Sequence, residues 1–481
     1  MTGSIARSIA RGLLPAALSL MATAAWCQQP PTLAPPDTHY FVGKGSWGQA
    51  YSDQWGLQRI GFDSSDQSAW RLVKQNAQPV IVAVIDTGLD WDHRNIDLEN
   101  LWRNPKPGVK DANVKDSGAY LDDAIGWDFF DRDNKPWDND GHGTFVAGII
   151  AGSWKDKDGI AGINPFARLM ILKAVNNFGH SRASYLAEAI AYAADHGARV
   201  INLSVGGKGS TKVEQAAVDY AFSKGVVIVV AAGNDGAEIS GYGIANSEKV
   251  LTVATTGIDD KRANFSNWGK IAVAAPGIDI LSLRARRTDT LLGIPGVKYT
   301  TGAATVGDDK RYYRASGTSF SAPMVTGLAS LLIANDPSLT NRQVMNIIKS
   351  TARDVGTPGV DQYTGYGIID ARAALAAPKD YSLLAGVSRV EVIQKGGAQV
   401  VRVRGLADAN AFKGARIEIG AGDAPTTWNV IGAAKQSSDP DGVLGEIPAA
   451  AFKGSAVWQI RLVVSHGNGA SREARFKLSL G

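Results

Sequence analysis

The chain has 481 residues, of which 44% are hydrophobic and 20% are charged, so it can bury a large core and is expected to form more than one domain. Its formal net charge is +4, and removing the first 27 residues, which carry two arginines and no acidic residue, leaves about +2. This near-neutral balance gives no polybasic surface and argues against a nucleic-acid partner.

The first 27 residues have the pattern of a secretory signal peptide. Two arginines precede an apolar stretch from Leu13 to Ala25, and small residues stand near its end. The stretch is too short to cross a bilayer comfortably, which takes about 20 residues. Because no later segment is uniformly apolar for that length, the sequence predicts no membrane span and a secreted, periplasmic or cell-surface location.

Cys27 is the only cysteine, so the chain cannot form an intramolecular disulfide. A lipid anchor at Cys27 is the alternative to simple signal cleavage, but Trp26 stands where such an anchor needs a small residue. A proline-containing spacer then covers residues 28–50, and its segment PPTLAPPD is typical of an extended linker. Stability is therefore expected from packing and from bound ions.

Apolar runs alternate with helical patterns after the spacer. The runs are rich in β-branched residues, as buried parallel strands are, and comprise VIVAVID (80–86), RVINLSV (199–205), VVIVVAA (226–232) and VLTVAT (250–255). The helical patterns between them are HGTFVAGIIAG from residue 142, SYLAEAIAYAADHG (184–197) and KVEQAAVDYAFSKG (212–225). This alternation predicts an α/β fold with a doubly wound, mostly parallel sheet and helices on both faces.

The character of the sequence changes near Pro378. Beyond it, short alternating runs joined by glycine-rich turns, such as RVEVIQKGGAQVVRVRG, are typical of a small all-β domain. The sequence therefore predicts an α/β domain over residues 51–378 and a β-sandwich-like domain over residues 379–481.

Three residues fall where ligands bind in open α/β sheets, just outside the carboxyl ends of the strands. Asp86 ends an apolar strand, His142 opens one helix and Ser319 opens another. A nucleophilic serine needs a base within hydrogen-bond reach, and that base needs an acceptor on its other ring nitrogen. The unpaired N–H groups and positive dipole end of a helix that begins at Ser319 also favour a developing oxyanion.

Each of these residues has an ordinary structural alternative when it is taken singly. Asp86 could be a turn residue, His142 a surface residue and Ser319 an N-cap. Glycines that permit close backbone approach bracket all three, and they are Gly88, Gly141, Gly143 and Gly317. The other five histidines lack such a bracket, so the pattern favours one shared site with His142 as its base.

The segments VIVAVIDTG, DGHGTFVAG and SGTSFSAPMVTG resemble, in the same order, the motifs around the catalytic Asp, His and Ser of the subtilisin-like serine proteases, the subtilases. The resemblance covers roughly residues 50–377. It implies a secreted serine endopeptidase of broad specificity that cleaves protein or peptide substrates through an acyl-enzyme. Asp86 would orient the imidazole, His142 would act as base and Ser319 as nucleophile. We expect the protein to act as a monomer.

The resemblance also implies an oxyanion donor and two substrate-binding edges. VVAAGNDG (229–236) is similar to the family's oxyanion segment and makes Asn234 a side-chain donor beside the backbone N–H of Ser319. LSVGG (203–207) and FGHSR (178–182) are similar to the edges that pair with an extended peptide. The substrate-binding residues implied are Ser204, Val205, Gly206, Gly179 and His180. On sequence alone, Asn-Asp-Gly is as typical of a turn, and SVGG of a strand that leaves the sheet.

Two acid-rich loops are candidates for the calcium that subtilases commonly bind, since oxygen ligands suit this hard cation. One set joins SWKDKDGIAG (153–162) to residues near the start of the domain, and its proposed ligands are Gln54, Asn95, Asp156 and Asp158. The other loop is DRDNKPWDND (131–140). A solvated charged surface is the alternative for each.

The sequence departs from the family at two places. An insertion of some thirty residues (284–315) with several basic side chains precedes Ser319, and its alternatives are a rim of the cleft and a solvated surface loop. Only about 25 residues separate the signal from the start of the α/β domain, too few for a folded inhibitory propeptide.

Two other classes of function compete with this interpretation. The motif DTG also occurs in aspartic proteases, but these need two such motifs, and the second candidate, DSG at 116–118, follows no apolar strand. The other alternative is a secreted protein without catalytic activity, such as a pseudoprotease, that binds a surface mainly through its C-terminal β region.

Overall fold

The structure is a computed structural model, and it describes residues 1, 32–105, 120, 122–209, 211–286 and 304–480. The predicted signal peptide with Cys27, the DSG motif and the middle of the insertion lie outside these residues. No helix in the described part of the chain is long and apolar enough to cross a membrane.

The helices and strands are numbered along the described chain. The helices are α1 (His39–Val42), α2 (Trp55–Arg59), α3 (His142–Ala151), α4 (Ala183–Asp195), α5 (Lys212–Ser223), α6 (Thr318–Asn335), α7 (Asn341–Thr351) and α8 (Ala371–Ala376). The strands before α6 are β1 (Val80–Asp86), β2 (Gly126–Asp128), β3 (Ala167–Lys173), β4 (Val200–Leu203), β5 (Val227–Ala231), β6 (Leu251–Thr256), β7 (Val273–Pro276), β8 (Ile280–Leu283), β9 (Thr305–Val306) and β10 (Tyr312–Ala315). The strands after α8 are β11 (Leu383–Lys395), β12 (Ala398–Ala409), β13 (Phe412–Ala421), β14 (Asn429–Ala434), β15 (Ser437–Pro448), β16 (Val457–His466) and β17 (Ser471–Ser479).

Seven parallel strands form the central sheet in the order β2-β3-β1-β4-β5-β6-β7. In the centre of the sheet, Val80 of β1 lies opposite Ala167 of β3, and Val82 lies opposite Val200 of β4. β2 and β3 lie on one side of β1, whereas β4 to β7 follow in order on its other side, so the direction of winding changes between β1 and β4. Open α/β sheets bind ligands at the carboxyl ends of strands at such a reversal.

Helices cover both faces of this sheet, as the sequence predicts. α3 packs against α6, while α4 packs against α5. α6 contacts β4, β5, β6 and β7, and its residues from Thr318 to Ala334 are all buried. A helix that is enclosed on all sides has no polar face, which explains the uninterrupted small and apolar residues of this segment.

The C-terminal part forms two antiparallel sheets, in the orders β11-β12-β15 and β14-β13-β16-β17. A second hydrophobic core receives side chains from both sheets, among them Val403 and Leu444 from one and Ile417 and Ile460 from the other. Alternate residues of β12 point into this core, which accounts for the alternating pattern seen in the sequence.

Part of the predicted spacer is folded rather than extended. α1 lies within it, and its Tyr40 and Phe41 are buried. The Tyr40 ring lies 4.7 Å from that of Tyr312, and the Phe41 ring lies 5.2 Å from that of Trp70. α1 follows the proline-rich segment PPTLAPPD, and burial of its two aromatic rings stabilises this part of the spacer against the core.

The described ends of the insertion also belong to the folded core. β10 pairs with β8 and β9 in a three-stranded antiparallel sheet. Arg286 and Arg311 form ion pairs with buried Asp90 over 3.4 and 3.2 Å, and Arg314 pairs with Asp279 over 2.7 Å. These basic side chains are therefore engaged within the fold.

Candidate active site

The turn after β1 brings the N-terminus of α3 close to Asp86. A Cβ on Gly143 would lie 2.2 Å from the carbonyl oxygen of Gly88, and a Cβ on Gly88 would lie 2.7 Å from that of Pro136. No other residue than glycine fits at these two positions. This close approach places His142, the first residue of α3, beside the end of β1.

His142 Nδ1 donates a hydrogen bond of 2.8 Å to Oδ1 of Asp86, which is fully buried. The same oxygen accepts the backbone N–H of Thr87 at 2.8 Å. Burial alone would lower the pKa of His142. The charge and hydrogen bond of Asp86, with the charges of Asp140 and Asp138, outweigh burial and raise the pKa of His142 to about 9.

Asp138 orders the turn that precedes His142. Its Oδ1 accepts the N–H groups of Asp140 and Gly141 at 3.0 and 2.7 Å, and its Oδ2 accepts that of Thr144 at 2.9 Å. The sequence indicated either a calcium site or a solvated charged surface for this acid-rich loop, and not a role in ordering the turn. The role of Asp138 could have been predicted from its position just before the start of α3, because aspartate is a typical capping residue at helix N-termini.

Ser319 lies in the first turn of α6 and is 7% exposed. Pro323 lies four residues further on and has no N–H, so the Ser319 carbonyl has no donor from the helix backbone. Ser204, which follows β4, supplies that donor, since its Oγ lies 2.8 Å from the Ser319 carbonyl oxygen. In return, Ser319 Oγ donates to the Ser204 carbonyl over 3.0 Å.

Asp86, His142 and Ser319 thus lie at the same edge of the sheet, but the structure joins only the first two. Among the described residues, no hydrogen bond links Ser319 to His142. The His142 ring lies 5.6 Å, centroid to centroid, from the ring of Phe320, the neighbour of Ser319.

Asn234 lies beside the start of α6 with its amide held in one orientation. Its Oδ1 accepts the backbone N–H and the hydroxyl of Thr318, both over 2.9 Å. The Thr318 hydroxyl also accepts the N–H of Gly233 at 3.1 Å. With Oδ1 fixed by Thr318, the Asn234 NH₂ group is directed away from it and is available as a donor.

A cavity of about 580 Å³ adjoins Ser319 and Asn234. Four of the five predicted substrate-binding residues line it, namely Gly179, Ser204, Val205 and Gly206. His180, the fifth, is exposed and is not among the lining residues; it lies in a turn closed by a 3.0 Å bond from the Asn176 N–H to its carbonyl. Other lining residues, which no sequence pattern indicated, include Lys208, Glu214 and Tyr242.

The four predicted calcium ligands do not fit a cation. Oδ1 of Asn95 accepts the N–H of Ile160 at 2.7 Å, and Oε1 of Gln54 accepts the N–H of Ala161 at 2.8 Å. Asp156 is paired with a guanidinium, and Asp158 is exposed. In the described part of the chain, no three acidic, histidine or cysteine side chains are grouped so that they could hold a metal ion. Subtilases often bind calcium, but no calcium-dependent step follows from these residues.

The chain matches a known family and several characterised proteins. The model of the Subtilase family matches residues 77–367. The thermophilic serine proteinase of Bacillus sp. (strain AK1) is 35% identical over 342 residues, which are 71% of this chain and 69% of that protein. Thermitase of Thermoactinomyces vulgaris is 32% identical over 325 residues, which are 67% of this chain and 96% of thermitase.

A solved structure, described as that of a cold adapted subtilisin-like serine proteinase, is 25% identical and has a TM-score of 0.47, covering 66% of this chain and 96% of its own. The sequence matches define the class of protein, which is a serine endopeptidase, a hydrolase. More particularly, the chain belongs to the subtilase family.

Proposed function

We propose that the chain is a secreted endopeptidase that hydrolyses peptide bonds through Asp86, His142 and Ser319. The observation that carries this proposal is the 2.8 Å hydrogen bond from His142 Nδ1 to buried Asp86, which leaves the other ring nitrogen free for a hydroxyl proton. Ser319 supplies that hydroxyl from the first turn of α6.

The proton path begins when the Ser319 hydroxyl turns from the Ser204 carbonyl to His142 Nε2. His142 takes the proton as Ser319 Oγ attacks the peptide carbonyl, and Asp86 stabilises the imidazolium that forms. His142 then returns the proton to the leaving amine, which leaves an acyl group on Ser319. A water molecule, deprotonated by the same imidazole, releases the acyl group and restores the enzyme.

The oxyanion of each tetrahedral intermediate is proposed to lie between the Asn234 amide and the backbone N–H of Ser319. Thr318 acts as a positioning residue, because both of its contacts with Asn234 hold the amide oxygen and so aim the NH₂ group. In a subtilisin, removal of the equivalent donor lowers kcat about 10²- to 10³-fold, and we expect Asn234→Ala to fall in that published range.

Substrate is proposed to bind in an extended form along the residues that follow β4. Ser204, Val205 and Gly206 line the cavity next to Ser319, with Gly179 on its border. Backbone pairing gives affinity with little side-chain selectivity, which supports broad specificity. The signal-peptide pattern of the first 27 residues supports export.

The proposal is tested with a fluorophosphonate probe, which labels only an activated serine. We expect the purified protein to be labelled, Ser319→Ala to remain unlabelled and His142→Ala to react more slowly by several orders of magnitude. Ser240→Ala, which removes an exposed hydroxyl, serves as the matched control and should be labelled like the parent. Labelling of Ser319→Ala, or a normal rate for His142→Ala, would contradict the assignment.

A further inference from the structure

The loop from Ser153 to Gly162, here called the α3–β3 loop, is held largely through its own backbone carbonyls. Its carbonyl oxygens accept hydrogen bonds along most of its length. The accepting carbonyls and their distances are those of Ser153 (2.8 Å), Asp156 (3.1 Å), Lys157 (2.7 Å), Asp158 (3.4 Å), Gly159 (3.1 Å), Ile160 (3.3 Å), Ala161 (2.9 Å) and Gly162 (2.8 Å). All the donors are protein N–H groups.

Asn95 is the central donor of this arrangement. It is fully buried, and its Nδ2 donates to the carbonyls of Ser153 and Ile160 at opposite ends of the loop. The N–H of Ile160, 2.7 Å from Oδ1, fixes which side of the amide faces these carbonyls. A Cβ on Gly159 would lie 2.4 Å from Oδ1, so the loop closes directly onto this side chain.

Gln54 repeats the same pairing one residue further along the loop. Its Nε2 donates to the carbonyl of Ala161 over 2.9 Å, and its Oε1 accepts the N–H of the same residue over 2.8 Å. Gln54 is 4% exposed, so water competes little for these bonds. The two amide side chains together satisfy both backbone groups of Ile160 and of Ala161.

Protein cations pair with one acid of the loop, Asp156, and with two acids of the segment before the loop. Arg94 Nε lies 3.3 Å from Asp156 Oδ2 and 3.6 Å from Asp309 Oδ2, so it joins the loop to the insertion. Lys155 Nζ lies 2.6 Å from Asp97 and 2.9 Å from Glu99. The negative charge that would attract a cation is thereby compensated from within the chain.

The N-terminal segment completes the attachment. The N–H of His39 donates to the Lys157 carbonyl over 2.7 Å, and the N–H of Tyr40 donates to the Gly159 carbonyl over 3.1 Å. Buried Tyr40 and Phe41 anchor this segment to the core. The residues between the signal and the α/β core therefore serve as a structural brace for the loop.

We propose that Asn95, Gln54, Arg94 and the segment Thr38–Phe41 form a protein-only clamp that keeps the α3–β3 loop ordered without a metal ion. The NH₂ groups of Asn95 and Gln54 are donors that cannot ligate a cation, and they lie against carbonyls that a calcium ion would need as ligands. The order of this loop is then independent of calcium. The clamp does not depend on the catalytic assignment, so the two proposals fail separately.

The test measures trypsin cleavage after Lys155 and Lys157 in the presence of EDTA and of calcium, in a Ser319→Ala background that cannot digest itself. The readout is the ratio of the two cleavage rates, followed by mass spectrometry of the fragments. We expect a ratio close to one for the parent. A loop that opens only in EDTA and closes again with calcium would overturn the proposal.

Two substitutions of Asn95 and one control substitution of Asn76 distinguish the clamp from a calcium site. Asn95→Ala should be cut faster than the parent and equally in both conditions, because the lost bonds are not replaced by metal. Asn95→Asp places a carboxylate opposite the two carbonyls and should be cut about tenfold faster in EDTA than with calcium at about ten times Kd. Asn76→Asp, the same change at an exposed site, should behave like the parent. Parent-like protection of Asn95→Ala would also overturn the clamp.

Discussion

Three carboxylates act on the imidazole of His142. Asp86 accepts the ring Nδ1–H, and Asp140 accepts the backbone N–H of His142 over 3.0 Å. Asp138 orders the turn before His142. Burial raises the pKa of Asp140 itself, which is 8% exposed. In its proposed role as general base, His142 must be neutral, so its pKa of about 9 means that kcat/KM should rise with pH, reach half its maximum near pH 9 and level off about one unit higher.

Asp140→Asn tests how far the second carboxylate sets this profile. The substitution keeps an oxygen acceptor for the backbone N–H of His142 but removes one negative charge. The imidazolium is then less stabilised, so the pKa of His142 should fall. We expect the pH of half-maximal kcat/KM to fall by about 0.5 to 1 unit, the size of one charge at close range in a partly screened site. The measurement is kcat/KM of a peptide substrate against pH.

Asp66→Asn is the control for this change, because it removes the same charge from a side chain that is 99% exposed. Its profile should coincide with that of the parent. An Asp140→Asn profile that also coincides with the parent, or moves to higher pH, would exclude an electrostatic role for Asp140.

At the residue scale, the sequence predicts partners where close approach demands a particular residue. Gly88 and Gly143 indicate that the turn after β1 and the start of α3 approach closely, so the pairing of Asp86 with His142 could be predicted. The direction of a buried amide could not be foreseen. The resemblance to the subtilases implies that Asn95 is a calcium ligand, but the Ile160 N–H fixes its oxygen and turns its NH₂ group toward the carbonyls.

At the scale of elements, Pro323 and Ser204 form one unit although α6 and β4 are distant in sequence. The proline withholds a donor from the Ser319 carbonyl, and the Ser204 hydroxyl provides it over 2.8 Å. The start of α6 is thereby tied to the strand edge that lines the cavity. This bond helps to hold Ser319 at a fixed distance from that edge.

A double-mutant cycle tests that unit. Ser204→Ala leaves a buried carbonyl without a donor and should lower the free energy of unfolding by about 1–3 kcal/mol. In a Pro323→Ala background the cost should be clearly smaller, because the new N–H at position 323 can bond to the Ser319 carbonyl. Urea unfolding gives the free energy of unfolding for the parent, Ser204→Ala, Pro323→Ala and the double variant, each in a Ser319→Ala background. Equal costs in the two backgrounds would show that the proline and the serine are not coupled.

The strands β1, β4, β5 and β6 were identified from their continuous apolar runs. β3 and α7 were missed, although they have seven and eleven residues, and so was β2, which has three. α1 is equally short, and its burial depends on Tyr312 from the insertion. The ends of the insertion are ordered by ion pairs to Asp90, a contact between distant parts of the chain that no local pattern contains.

At the scale of the whole molecule, Arg472 of β17 joins the C-terminal sheets to the end of α7. Its guanidinium donates to the carbonyls of Ser350 and Ala352 over 2.7 and 3.1 Å and to that of Tyr366 over 3.2 Å. It also lies over the Tyr366 ring at 5.7 Å. One half-buried side chain thus satisfies three carbonyls that come from two segments of the α/β part.

Arg472→Ala should therefore weaken the whole molecule. The substitution leaves three carbonyls without a charged donor, and hydrogen bonds to charged groups contribute about 1.5–3 kcal/mol each, so a loss of at least about 2 kcal/mol is expected. Thermal unfolding in the Ser319→Ala background measures it as a lower Tm. Arg475→Ala is the matched control on the same strand, because Arg475 pairs with Glu473 and stacks on Trp428 within the C-terminal sheets. If both variants unfold at the same temperature, Arg472 has no special role in joining the two parts.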